Sequence, residues 1–254
     1  MSRYTARSRK FFGVFGIFDV NGESYLITIS ERSRIGHILG AEVYRVEQLE
    51  FLSFSGMEIS AQDQKAIDMI QNVQKNKCFY FSYQLDLTKR LQLNLQEIGS
   101  QSRIDVMYPN SIGYTLKFCF NGELLQSLQG DQYAPIRTPC IYGYVGFRNL
   151  SPGKDFVLIS RRDRRRAGRR FITRGLDNEG AAANFTETEH MLQMKEGDRF
   201  TIAAHLQIRG SIPLKWEMKP DMKWEPRVVI DPDFQKNYRA AKAHIQETQK
   251  DYQA

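Results

Sequence analysis

The chain has 254 residues, 41% of them hydrophobic and 26% charged, with a net charge of +7 and a pI near 9.3. That length can bury a real core, as one large domain or two small ones, and that composition argues against disorder. A basic excess attracts phosphates, anionic lipid or nucleic acid, and here it is concentrated: eight arginines lie between Arg161 and Arg174, with Asp163 the lone acid among them.

No run reaches the roughly 18 apolar residues of a helical membrane span, and the apolar stretch Phe11 to Phe18 is short for a secretory signal core. Cys78, Cys119 and Cys140 are odd in number and widely spaced, which suits a reducing compartment and neither a disulfide framework nor a zinc pattern. The expectation is a soluble, cytoplasmic protein, peripheral at membranes.

In chain order, residues 11–54 read as β. Phe11 to Phe18 and Ser24 to Ser30 flank Asn21-Gly22, a hairpin signal because both positions tolerate positive φ. Glu42 to Phe54 forms a third strand-like run. Ser60 to Lys75 switches to helical spacing, with Ser60 as N-cap, Asp63 at the capping-box position and Ala66, Ile67, Ile70 and Val73 on one face. Cys78 to Tyr83, Leu91 to Leu95, Tyr114 to Phe120 and Tyr142 to Phe147 read as strands, with a turn at Asn121-Gly122. Gly146 to Gly153, containing Ser151-Pro152-Gly153, reads as a linker, and Phe156 to Ser160 as a strand feeding the arginine block. From Asp231 or Asp233 to Gln253 the pattern is helical. Its Phe234, Tyr238, Ala241 and Ile245 make a narrow apolar stripe that needs a partner surface, so a protein partner is expected there.

The arginine block invites two readings. One is a solvated face, a localisation tract or a nucleic-acid patch. The block, however, continues into Arg174-Gly175-x-Asp177-x-x-Gly180 and then Ala183-Asn184-Phe185-x-Glu187-Thr188-Glu189, which a localisation tract does not need. With Arg166-Ala167-Gly168-x-Arg170 before it and Gln207-Ile208-Arg209-Gly210-Ser211-Ile212-Pro213-Leu214 ending on Trp216 behind it, the stretch resembles the signature of the Sac-domain phosphoinositide phosphatases. Lys215 departs from that pattern, which usually has an aromatic residue before the tryptophan.

The resemblance implies hydrolysis of a phosphate monoester on the inositol ring through a cysteine nucleophile, with an arginine six residues later clamping the phosphoryl oxygens. Six positions after Cys78, Cys119 and Cys140 stand Gln84, Leu125 and Gly146, so no cysteine here has that spacing and none is nominated as nucleophile. What the resemblance does place in this chain is a pocket for phosphatidylinositol phosphates, bordered by Arg170, Arg174, Asn184 and Arg209. Alternatives stay open: Asn184, Glu187 and Glu189 read equally well as structural, with the carboxylates pairing to arginines, and Arg209-Gly210-Ser211 as a turn. Trp216 and Trp224 read as core or interface residues. The four histidines show no metal-ligand spacing, and no cofactor is expected.

The implied architecture is α+β: a β-rich N-terminal Sac module over 1–153, then the first part of an α/β cysteine-phosphatase-like catalytic domain over 154–254. The implied partners are phosphatidylinositol phosphates and an anionic membrane surface. Nucleic acid is not expected, because the aromatic residues cluster in apolar strands instead of interleaving with the arginines. A non-catalytic lipid- or protein-binding module is the rival reading.

Overall fold

The structure, a computed structural model, describes residues 10–98, 114–169, 172–197, 199–219 and 226–252. Asn21 and Gly22, both at positive φ (50° and 85°), close the hairpin between β1 (Val14–Val20) and β2 (Glu23–Ile38). β2 returns through Leu39-Gly40 into β3 (Ala41–Ser53), followed by β4 (Phe79–Ser82), β5 (Ile141–Ser151), β6 (Lys154–Arg162), β7 (Thr186–Glu196) and β8 (Arg199–Arg209). These eight strands pair antiparallel in sequence order within one sheet. A separate ribbon joins β9 (Trp216–Lys219) to β10 (Arg227–Ile230). The β-rich α+β class is therefore as expected.

Register breaks between Ile29 and Glu31 and between Arg34 and Gly36 bend the long β2–β3 ribbon. The bend carries Gly36 against the Phe147 ring of β5. One core cluster fills the curl, with Ile38, Val43, Ile141, Val157, Ile159 and Met191 at its centre. A second gathers Phe15, Ile27, Tyr44, Phe79 and Phe81.

α1 (Ala61–Gln74) starts where its cap predicts, with the Ser60 hydroxyl accepting from the Asp63 N–H at 3.1 Å. The Asp63 carboxylate does not close the capping box. It accepts from Tyr25 at 2.9 Å and Asn21 at 2.6 Å, which ties the helix to the first hairpin. The buried face also differs: Ile67 and Gln74 are covered, while Val73 is exposed, because the Gln74 amide donates to the Glu47 carbonyl.

Three sequence expectations are corrected. Leu91 to Leu95 is not a strand but the start of α2 (Leu91–Ile98). Its leucines alternate with polar residues, yet Leu91 and Asn94, three apart, are buried, and the Asn94 amide donates to the Asp86 carbonyl at 2.9 Å. Tyr114 to Phe120 forms turns, because Phe118 and Cys119 both donate backward to the Thr115 carbonyl. The stretch Gly146 to Gly153 is no linker: it completes β5 and turns directly into β6, with Ser151 paired to Lys154 across Pro152-Gly153. Turn residues there close a hairpin inside a sheet that continues on both sides of position 153.

α3 (Phe234–Tyr252) forms as expected, but it docks chiefly by the polar face beside its apolar stripe, of which Ala241 packs on the core. Phe234, Tyr238 and Ile245 point to solvent, Phe234 with 74% of its surface exposed, while Asn237 and Ala240 are buried. Asn237 fastens the first turn, accepting from the Lys215 N–H at 2.7 Å and donating to the Asp231 carbonyl at 2.8 Å. Ala240 packs on Leu176, Ala182 and Phe185. No helix among the described residues is long and apolar enough to cross a membrane.

Candidate functional site

β6 sets the site by alternation. Successive strand residues face opposite sides, so Val157, Ile159 and Arg161 point inward while Phe156, Leu158, Ser160 and Arg162 point outward. Arg161 is 1% exposed and lies between the Glu187 and Glu189 carboxylates of β7, the latter at 2.5 Å. Burial works against its charge, but Glu189 and Glu187 outweigh it and its pKa is raised. Glu187 also accepts from the Tyr252 hydroxyl of α3 at 2.7 Å, and Glu189 accepts the Leu91 N–H that opens α2 at 2.8 Å. The Asn-Phe-x-Glu-Thr-Glu block thus neutralises one buried arginine and joins two helices to the sheet.

The next arginines are also engaged within the fold. Arg164 pairs with Glu123 and donates to the Leu116 carbonyl. Arg165 bridges Asp163 (2.7 Å) and Glu247 of α3 (2.8 Å). Arg166 donates to the Arg174 carbonyl at 2.7 Å. A solvated stripe, as a nucleic-acid reading requires, is not what these side chains make.

Behind the run, the Gly-x-Asp-x-x-Gly turn has a mechanical explanation. The Asp177 carboxylate accepts from the N–H groups of Glu179 (3.0 Å) and Ala181 (2.8 Å). Gly180 has φ +87°, and a Cβ there would lie 2.6 Å from the His244 nitrogen of α3. Gly175 has φ +68°, and its Cβ would lie 2.5 Å from the Trp216 carbonyl. Both positions need glycine for conformation and for closeness. Asn184, at φ 53°, then stitches the arginine loop: its Oδ1 accepts from Gly168 N–H at 3.0 Å and its Nδ2 donates to the Thr173 carbonyl at 3.3 Å.

These elements enclose a cavity of about 470 Å³ at the end of the sheet, lined by Arg162, Gly168, Arg174, Ala183, Asn184, Arg209, Gly210 and Ser211. The volume is that of a small-ligand pocket. Among the described residues three guanidinium groups border it and no carboxylate does. Register explains two of them: Arg162 of β6 pairs with Thr186 of β7, which pairs with Arg209 of β8, so one row across three strands presents both arginines. The third, Arg174, lies over the Trp216 ring at 5.4 Å, which holds its flat fork in place. The Ser211 hydroxyl accepts from Gly175 N–H at 2.8 Å and closes the floor.

Of the residues expected at a pocket, Arg174, Asn184 and Arg209 therefore meet at one cavity. Arg170 lies outside the described residues. Asn184 shapes the wall, since both ends of its amide are engaged by backbone. Arg209-Gly210-Ser211 lines the cavity and pins its turn. Arg162 was missed as a site residue, although it shares strand parity with Phe156 and Leu158. Lys215 reaches Asn178 beside a neighbouring cavity of about 520 Å³, lined on one side by Trp216 and bordered also by Arg174. Trp224 lies outside the described residues.

The cysteines stand apart from this chemistry. Cys119 and Cys140 are buried, and burial pushes both thiols well up. Burial also raises Cys78, against the opposing pull of Arg162. Nucleophilic thiols need the reverse shift.

A family model described as the SacI homology domain matches residues 12–254. Among curated proteins, the chain is 31% identical over 254 residues to the phosphoinositide phosphatase SAC7 of Arabidopsis thaliana, covering 96% of this chain and 41% of that protein. It is 31% identical over 242 residues to the phosphatidylinositol-3-phosphatase SAC1-B of Danio rerio (89% and 39%) and 27% identical over 229 residues to SAC1 of Drosophila melanogaster (89% and 38%). The chain spans about two fifths of the length of these relatives.

Proposed function

Because the chain belongs to the SacI homology domain family, we propose that it serves phosphoinositide dephosphorylation by recognising the phosphorylated headgroup, and that the 254 residues alone do not turn it over. The observation that carries the reading is the cavity itself: Arg162, Arg174 and Arg209 border about 470 Å³ with no acidic side chain among the described residues of the lining. Arginine suits phosphate because its planar donors meet two oxygens at once. A ring phosphate would lie between the forks of Arg174 and Arg209, with Arg162 beside it on the same sheet row. The relatives are named for phosphatase activity on phosphoinositides and on phosphatidylinositol 3-phosphate, which supports that class of ligand.

The place of action in this proposal is a cytoplasmic membrane face, reached peripherally. Catalysis is not assigned to this chain, since no cysteine has an arginine six residues on and all three thiols are shifted up. A second contact, with a protein, is supported by the exposed stripe of Phe234, Tyr238 and Ile245 on α3.

Co-sedimentation with phosphatidylcholine vesicles, with and without a phosphatidylinositol phosphate, tests the reading. Preferential binding to the doped vesicles that is lost in Arg174→Ala/Arg209→Ala supports it. Equal binding to both vesicle types, or an unaffected double variant, rejects it.

A further inference from the structure

The outward face of β5–β8 carries no packed layer among the described residues. Every outward position along β6 and β7 is partly or fully exposed, from Lys154 to Arg162 and from Thr186 to Glu196. Its charges are one-sided. Arg148, Lys154, Arg162, Arg199 and Arg209 face outward, against Glu196 as the acid of the same face. Among the described residues none of these five cations pairs with a carboxylate, and Arg162 lies instead over the Tyr142 ring at 5.7 Å. Between them stand Tyr144 (56% exposed), Phe156, Leu158 and Leu192. The inward side of the same strands shows the contrast, because there Arg161 is neutralised by Glu187 and Glu189.

We propose that this open sheet face is the surface by which the protein lies on an anionic lipid bilayer. The proposal rests on the phosphoinositide reading for what occupies the cavity, and it names the surface that brings the cavity to its lipid. Arg162 and Arg209 belong both to the face and to the cavity rim, so a bilayer along the sheet presents its headgroups at the pocket mouth. Lys154 and Arg162 lie eight residues apart, about 26 Å at ~3.3 Å per residue, and three strand spacings add about 14 Å across. That footprint spans several lipid headgroups. Aromatic and aliphatic side chains set among cations suit the bilayer interface, which takes both. A nucleic-acid backbone would leave Leu158 and Leu192 against phosphate, which disfavours that partner.

Phosphatidylserine–phosphatidylcholine vesicles free of phosphoinositide isolate the face from the cavity, and a water-soluble inositol phosphate isolates the cavity from the face. The full chain is expected to sediment with the vesicles in a salt-sensitive manner. Arg148→Ala/Lys154→Ala/Arg199→Ala should weaken that binding at least tenfold, since each cation near an anionic surface is worth roughly fivefold. Leu158→Ser/Leu192→Ser should weaken it with every cation retained. Both variants should keep wild-type thermal unfolding and wild-type affinity for the inositol phosphate. Failure of the wild type to sediment, undiminished binding by the triple variant, or displacement of the vesicles by equimolar duplex RNA or DNA would overturn the membrane assignment. Loss of inositol phosphate binding at Arg174→Ala alone reports on the cavity and leaves the face to stand or fall by the vesicles.

Discussion

Arg161 and Arg162 are neighbours in β6, yet one is sealed between Glu187 and Glu189 and the other borders an open cavity. Removing a buried cation leaves two carboxylates desolvated and unpaired, which costs about 3–5 kcal/mol. Arg161→Ala is therefore expected to lower unfolding stability by that amount in denaturant titration. Arg162→Ala should stay within about 0.5 kcal/mol of wild type while weakening phosphoinositide binding. Matching stability losses in the two variants would contradict the division of roles.

Gly180 ties the motif turn to α3. Its φ of +87° and the 2.6 Å from a built Cβ to the His244 nitrogen leave no room for a side chain. Gly180→Ala should destabilise by about 1–3 kcal/mol and loosen the helix first. Amide exchange would then rise across α3 before it rises in β6 and β7. Uniform exchange along the chain would show that α3 is not held through this contact.

Glu247 gives α3 a pH dependence. Burial tends to raise its pKa, but the hydrogen bond from Arg165 and the charge of Lys117, 3.2 Å away, outweigh burial and hold it below its ordinary value. A carboxylate depressed in the folded state stabilises above its unfolded pKa, and that contribution is lost as pH falls through the folded pKa. Glu247→Gln should therefore cost about 0.5–1 kcal/mol at neutral pH, modest because the pair is partly exposed. The difference should vanish in acid below the carboxylate range. A gap between variant and wild type that persists there would assign the effect to packing.

Much of this was legible in the residues. Asn21-Gly22, the Ser60 cap and the alternation of β6 announce themselves, because turn conformation, capping and strand parity are local properties. Arg174, Asn184 and Arg209 were named from the motif, and all three line one cavity. Three things were not legible, each set by contacts distant in sequence. Leu91 to Leu95 alternates like a strand but is helical because Leu91 donates to Glu189 and Asn94 to Asp86. Pro152-Gly153 reads the same in a linker as in a hairpin, and only the pairing of β5 with β6 decides. Phe234, Tyr238 and Ile245 of α3 face outward because the polar side of the helix finds Lys215, Gly180 and Arg165, which no periodicity within the helix reveals.

Phosphate release from a panel of phosphatidylinositol phosphates should stay at background for the 254-residue chain. The barrier to monoester hydrolysis is large, and no low-pKa thiol with a partnering arginine is present. Turnover that survives purification and responds to substitution at Cys78, the least buried of the three, would contradict this.

The most direct test of the central claim is calorimetric titration of a soluble inositol phosphate into single arginine variants. Arg162→Ala, Arg174→Ala and Arg209→Ala should each lose affinity, by about 1.5–3 kcal/mol where a charge-assisted bond is removed. Arg169→Ala, exposed and outside the cavity lining, should bind as wild type. Equal losses at all four positions would mean diffuse attraction to a basic surface, and would contradict a phosphate pocket built by Arg162, Arg174 and Arg209.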